Sequence, residues 1–236
     1  ATAITYYVYM NKGVPTLILN NNTASVNTSG LVGYWRFENE SLGYATDYSG
    51  WNNTGTMTNM NNAGNATSGP TTAGRFGKAM QFDGVNDRIT VQDSNNWYFG
   101  TRDFAIDFWV KFNTLPPLND MLAIISQYDN GNNHWYLDAE NVDGVYKWEI
   151  YVKSGGVKTL DLDKTSPGLA VNTWYHVALV RNSNNWYIFQ DGTQCGTTDT
   201  DADPVPDLTD GLNIGSVADF AGFLNGSLDE FHIWNR

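Results

Sequence analysis

Carboxylates are the groups in this sequence best suited to chemistry, and their densest run is Asp199-Thr-Asp-Ala-Asp-Pro-Val-Pro-Asp-Leu-Thr-Asp210. Asp occupies positions 1, 3, 5, 9 and 12 of that twelve-residue stretch, the rhythm in which a calcium-binding loop presents oxygen ligands. Asp199, Asp201 and Asp203 are therefore candidate metal ligands. Pro204 stands at position 6, where such a loop turns on Gly, and no helical pattern flanks it. The competing reading is a solvated acidic loop between two strands. Catalytic signals are weak. His134, His176 and His232 lie in no recognisable nucleophile or metalloprotease context. His176 reads as a strand histidine satisfied by hydrogen bonds. Asp107 and Glu149 are the only acids inside strong strand patterns, and each stands alone on its stretch. No catalytic residue is assigned.

Aromatic rings are the second resource. Rings offer saccharides a large contact area at small entropic cost, with amides and carboxylates serving the hydroxyls. Trp109 and Tyr151 fall on the polar sides of alternating strands. Trp97, Trp135 and Trp186 lie beside Asn95-Asn96, Asn132-Asn133 and Asn184-Asn185, as do Trp51 and Tyr98 beside similar Asn-rich stretches. Trp109, Tyr151, Trp97, Trp135 and Trp186 are the candidate ligand-binding residues; the competing reading is packing. Trp35, Trp148 and Trp174 are assigned to the core. Six glycosylation sequons occur, at Asn21, Asn27, Asn39, Asn52, Asn65 and Asn225. Cys195 is the sole cysteine, so no internal disulfide forms, and a buried inert thiol is expected.

Strands must position these groups. Phe104-Ala-Ile-Asp-Phe-Trp-Val-Lys-Phe112 places five apolar residues on one face at period 2. Tyr146–Val152 repeats the pattern, and Trp174–Val180 is apolar on both faces, as a central strand is. Shorter strands are expected at Leu31–Phe37, Met80–Phe82, Arg88–Val91, Leu122–Tyr128, Trp135–Asp138, Trp186–Gln190, Leu212–Ile214 and Leu228–Trp234. Asp83-Gly84, Asp143-Gly144, Gly155-Gly156, Asp191-Gly192 and Asp210-Gly211 punctuate them as turns. No helical period is sustained, so the fold class is all-β, a sandwich or barrel. Residues 1–30 read as a hairpin-like extension (Ile4–Met10 and Val14–Leu19) and a polar linker, with the main domain at 31–236.

Composition agrees. The 236 residues include 28 Asn, 23 Thr and 23 Gly, but only 16% are charged, against about 25% in an average soluble protein. A net charge of −12 repels nucleic acid and anionic lipid and attracts cations. No apolar stretch is long enough for a membrane-spanning helix, and no signal peptide is read.

Eight motifs occur in order along the main domain. Gly33-Tyr-Trp-Arg-Phe-Glu-Asn39, Asp47-Tyr-Ser-Gly-Trp-Asn-Asn-Thr-Gly55 and Gly77-Lys-Ala-Met-Gln-Phe-Asp-Gly84 come first, then Asp87–Val91. Asp103–Val110, Asn172–Arg181 with Asp191-Gly192, Leu212–Gly215 and Asn225–Phe231 complete the series. The series resembles the laminin-G-like, concanavalin A-like lectin/glucanase domains of extracellular proteins. That resemblance implies a concanavalin A-like jelly-roll β-sandwich of about a dozen antiparallel strands. It also implies a structural calcium ion held by Glu38 or Asn39, the Asp83-Gly84 turn and Asp229. The E-x-D-x-x-E strand of the related glucanases is missing, so the resemblance points away from hydrolysis.

The function expected is a non-catalytic extracellular recognition or adhesion domain that binds carbohydrate or a surface partner, with calcium as support. Its exposed aromatics would group on the concave face or one rim. The alternative is a structural subunit of a cell-surface or viral assembly, such as a filament or layer, joined to copies of itself through Ile4–Met10.

Overall fold

In the computed structural model, residues 28–38, 40, 43–60, 68–218 and 221–236 are described. The expected N-terminal extension and the sequons at Asn21, Asn27, Asn39 and Asn65 fall outside them. Every regular element among the described residues is a strand.

Two antiparallel sheets form the sandwich. The first contains β1 (Leu31–Trp35), β4 (Gly69–Thr71), β5 (Ala79–Asp83), β7 (Phe104–Phe112), β12 (Trp174–Asn182), β13 (Asn185–Gln190), β14 (Thr193–Gln194), β15 (Asp199–Thr200) and β17 (Asn225–Trp234). Its order is β14-β13-β12-β7-β17-β5-β4, with β1 also on β17 and β15 on β13. The second contains β2 (Tyr44–Ala45), β3 (Gly55–Thr58), β6 (Arg88–Val91), β8 (Met121–Asn130), β9 (Asn133–Val142), β10 (Val145–Ser154), β11 (Val157–Thr165) and β16 (Leu212–Ile214), in the order β11-β10-β9-β8-β16-β6-β3-β2. The all-β jelly-roll expectation holds, with more and shorter strands than a dozen.

The core lies between the inner faces, where alternation puts it. Phe104, Ile106, Phe108, Val110 and Phe112 of β7 all point inward and are sealed from solvent, facing Trp148, Ile150 and Val152 of β10. Each such side chain contributes roughly 1.5–3 kcal/mol. A buried polar tie crosses the sandwich. The Trp148 indole donates to Gln190 Oε1 at 2.9 Å, and Ser166 Oγ donates to the same oxygen at 2.7 Å. Trp35 and Trp148 are core residues as expected. Trp174 is not: it sits half-buried on the outer face of the first sheet, with Lys111 over its ring at 5.1 Å.

Strands β8 to β11 form a continuous meander at one end of the second sheet. Its tight turns are fixed by residue type. Asp143 and Gly144 take φ of 52° and 88°, and Gly155 and Gly156 take 57° and 81°. Two successive positive-φ residues match the twist of the flanking strands. These turns fix the register, and therefore which side chains share the outer face.

Candidate functional site

Along β9, Trp135, Leu137 and Ala139 enter the core, so His134, Tyr136, Asp138 and Glu140 face outward. Along β10 the outward set is Lys147, Glu149, Tyr151 and Lys153. Along β11 it includes Asp161 and Asp163, because Leu160 and Leu162 are the buried pair. The register then sets Tyr151 opposite Tyr136 and Asp161, and Glu149 opposite Asp138 and Asp163. On β8, Tyr128 stands opposite His134. Four strands thus deliver a row of rings and a group of carboxyls to one outer face.

The rings stack on one another. Tyr136 and Tyr151 are 5.0 Å apart at 5°, His134 and Tyr151 5.7 Å at 11°, and Tyr128 and His134 4.9 Å at 23°. Each pair adds about 0.5–1.5 kcal/mol beyond its burial. Rings packed flat against each other turn their edges, rather than their faces, away from the sheet. This part of the face therefore presents phenol hydroxyls and an imidazole edge, with flat ring surface only at the ends of the row.

The carboxyls are crowded. Asp138 is fully buried, and neither of its oxygens has a hydrogen-bond partner. The neighbouring loop packs against β8 beside it: Ala123 N–H donates to Gly222 O at 2.7 Å and Ser126 Oγ to Ser216 O at 2.9 Å. Burial, with Glu149, Glu140 and Asp161 around it, pushes the Asp138 carboxyl well above the usual carboxylate range. Burial and the neighbouring acids push Glu149 up to about 8. Glu149 is therefore protonated at neutral pH and donates a hydrogen bond to Asp161. Burial works to raise Asp161 as well, but the bonds from Lys158 and Glu149 outweigh it and hold Asp161 low. Lys147 pairs with Asp163, and Lys158 with Asp161. The Tyr136 hydroxyl is driven upward by burial and by Glu149 and Asp138, so it stays a donor. The face combines neutral donors, charged acceptors and polarisable rings.

Of the five expected ligand-binding aromatics, only Tyr151 belongs to this group. Trp97, Trp135 and Trp186 are 0%, 1% and 1% exposed and are corrected to core residues. Trp135 and Trp186 satisfy their indole N–H groups internally, on Gln127 Oε1 at 3.1 Å and Asp201 O at 3.2 Å. The Asn pairs beside these rings sit in turns or at strand starts and bring no ring to the surface. Trp109 lies on the other sheet, covered by the Arg75 guanidinium at 4.5 Å and edge-on to Phe76 at 5.8 Å. Trp51 is 60% exposed and Tyr98 37% exposed.

The residues expected to hold calcium are engaged elsewhere. Asp83 Oδ1 accepts from Val85 N–H within its own turn, at 2.9 Å. Its partner Gly84 packs against Asn225. Glu38 accepts from Lys78 N–H at 3.3 Å, and Asp229 Oδ2 from Phe76 N–H at 2.9 Å. Burial raises Asp229 to about 7, against that backbone bond, and its Oδ1 is unpartnered. In the acidic loop, Asp199 pairs with Lys164, and Asp201 accepts from Asp203 N–H at 2.7 Å, which closes a turn. Among the described residues, no group of three or more His, Cys, Asp or Glu is arranged to hold a metal ion. These carboxylates do not fit a calcium ion as arranged. Of the described sequons, Asn52 is exposed, whereas Asn225 accepts from Asn113 at 3.2 Å and packs on Gly84. Cys195 is buried, which pushes its thiol up to about 11.

The sequence reading missed the carboxyl group because its members come from three strands. Asp161 and Asp163 lie on β11, where no strand was expected. The available signal was the alternation Leu160-Asp-Leu162-Asp163 directly after a Gly-Gly turn.

A family model of the concanavalin A-like lectin/glucanases superfamily matches residues 83–236. The chain belongs to that superfamily. Curated protein sequences contain no significant match. Among solved structures, domain 4 of AbnA, a GH43 extracellular arabinanase from Geobacillus stearothermophilus, in complex with arabinotriose, shares 18% identity at TM-score 0.64. The match covers 88% of this chain and 93% of that one. The binding domain of Paraclostridial Mosquitocidal Protein 1 shares 18% identity at TM-score 0.63, covering 89% of this chain and 49% of that one. The binding domain of botulinum neurotoxin DC, solved with rat synaptotagmin II, shares 14% identity at TM-score 0.61, again covering 89% and 49%. This superfamily member spans about half the length of those toxin domains. Identities this low establish the shared fold. No helix among the described residues is long and apolar enough to cross a membrane.

Proposed function

We propose that this chain is a non-catalytic, extracellular carbohydrate-binding domain whose ligand lies on the outer face of β8–β11. One observation carries the reading: stacked Tyr128, His134, Tyr136 and Tyr151 stand beside Glu149 and Asp161 on a single sheet face. A polyol needs closely spaced donors and acceptors with apolar surface next to them; this face supplies the donors and acceptors along the row and flat ring surface at its ends. The same geometry weighs against hydrolysis. Glycosidase carboxyls stand about 5–9.5 Å apart so that the scissile bond fits between them. Glu149 and Asp161, the pair with opposed shifts, are instead in hydrogen-bond contact, and Asp138 is sealed from solvent. Among the structural relatives, one is named as a binding domain and another, a domain of an arabinanase, holds arabinotriose, which supports saccharide recognition.

The test is a glycan array probed with and without chelator, followed by Tyr136→Ala and Tyr151→Ala. At least one glycan class is expected to bind, and each variant to weaken it about tenfold or more while keeping the wild-type fold. The chelator arm decides whether an ion supports the site. An array without hits, or binding that survives both substitutions, refutes the assignment.

A further inference from the structure

The outer face of the first sheet carries an apolar row that the core does not use. Leu31 of β1 stands opposite Trp234 of β17, Trp234 opposite Ala105 of β7, Ala105 opposite Val180 of β12, and Val180 opposite Tyr187 of β13. Their neighbours along each strand enter the core, so all five point away from it. Five strands at the usual spacing make the row about 19 Å long. Leu31, Ala105 and Trp234 form an apolar cluster of their own, with Tyr34 and Val180 packed against it. The outer face of an antiparallel sheet is ordinarily wetted, yet Leu31, Trp234 and Ala105 are only 5%, 3% and 4% exposed. Larger neighbours can shade an alanine, but a tryptophan on an outer face needs something above it. The Arg236 guanidinium lies over the Trp234 ring at 5.0 Å. One side chain does not roof a row five strands wide, so the exposures require a further cover.

The chain itself can supply one. Residues 1–19 lie outside the described residues, and twelve of them are apolar or aromatic. Ile4–Met10 and Val14–Leu19 read as a hairpin, and a lone two-stranded hairpin is marginal in water unless its apolar side packs on something. Lys12 is the only charged side chain among the first thirty residues. The segment therefore meets no repulsion from a chain whose net charge is −12. Its attachment point is the end of the row. Leu31 N–H donates to Thr28 O at 3.0 Å and Asn235 N–H to Gly30 O at 2.8 Å, which sets the incoming chain beside Trp234. Residues 20–30 reach about 36 Å when extended, nearly twice the length of the row. A tether this short gives the segment an effective concentration of order millimolar over its own sheet, which favours its own chain over a second copy. We propose that residues 4–19 dock on the outer face of the first sheet of the same chain, over Leu31, Trp234, Ala105, Val180 and Tyr187. The sandwich then has one outer face closed by its own N-terminal segment, opposite the face of β8–β11. The inference does not depend on the carbohydrate reading.

Amide exchange of the full chain, with sedimentation at low and high protein concentration, tests it. Residues 4–19 are expected to exchange about tenfold or more slowly than the same segment as a free peptide, equally at both concentrations and in a monomer. Val180→Glu puts a charge into the row without touching the core and should return the segment to the free-peptide rate. Tyr187→Glu serves the same purpose should the first variant fail to fold. Free-peptide exchange in the wild-type chain overturns the proposal. Protection that survives the substitution in a folded variant also overturns it, because the segment is then held elsewhere. Protection that rises with concentration alongside a dimer gives the row to a second copy and overturns it as well.

Discussion

Glu149 shows how a single residue can trade stability for a site. Its carboxyl is held at about 8 by burial and by Asp161, Glu140 and Asp163. A folded-state value above the unfolded one means a contribution fully present below about pH 4.5 and lost as pH rises through 8. Glu149→Gln cannot ionise and still donates to Asp161, so it is expected to match wild type near pH 4 and exceed it near pH 9. The gain in Tm should be about 2–4 °C for each kcal/mol relieved. Thermal melts across that range check it, and a constant offset at all pH values would sink the idea. Asp107, on the other sheet, runs the opposite way. It accepts from the Trp234 indole at 2.8 Å and contacts His232 Nδ1 at 3.0 Å and His176 Nε2 at 3.4 Å. Burial alone would raise Asp107, but the two histidines and their hydrogen bonds overcome it and hold the carboxyl low. His232 is raised in turn: Asp107 and Glu230 outweigh its burial. Asp107 therefore stabilises the fold above about pH 4, and the benefit disappears as pH falls through its lowered value. The share from His232 is present below about pH 6.5 and lost as pH rises through its raised value. Asp107→Asn is expected to cost about 3–5 kcal/mol near pH 6 and progressively less towards pH 2. Urea titrations that stay parallel to wild type from pH 6 to 2 would contradict this.

At the scale of elements, β11 is the weak member of the site. It is an edge strand, hydrogen-bonded to β10 alone, and its outward residues are charged, as edges that resist further pairing usually are. Local opening should therefore expose Asp161 and Asp163 first. Amide exchange is expected to be faster across residues 157–165 than across 135–142 of the flanked β9, and to slow in β11 when a ligand bridges β10 and β11. Equal protection in the two strands would contradict the element hierarchy. The same strand marks where sequence reading stopped. β7, β10 and β12 were legible because their inner faces carry long apolar runs. β11 offers only Leu160 and Leu162 inward, and Lys164 follows them inward, salt-bridged to Asp199 and only 8% exposed. A buried lysine breaks the period-2 signal at the point where it is most needed.

Over the whole molecule, the sandwich, the turns and most of the core were readable from apolar alternation and Asp-Gly or Gly-Gly punctuation. The site was not, because juxtaposition across strands depends on register, and register follows from turn geometry and bulges rather than from any one strand's residues. Trp97, Trp135 and Trp186 illustrate the converse: residue type marked them as candidate platforms, yet packing claimed all three. The site's topology has a historical consequence. Its rings and carboxyls all come from β8 to β11, a contiguous meander of about 45 residues, and not from distant loops meeting at a rim. A single short stretch of gene therefore encodes the whole of the proposed recognition surface. It can be exchanged, duplicated or diversified as one cassette while the opposite sheet and the rest of the sandwich stay as they are.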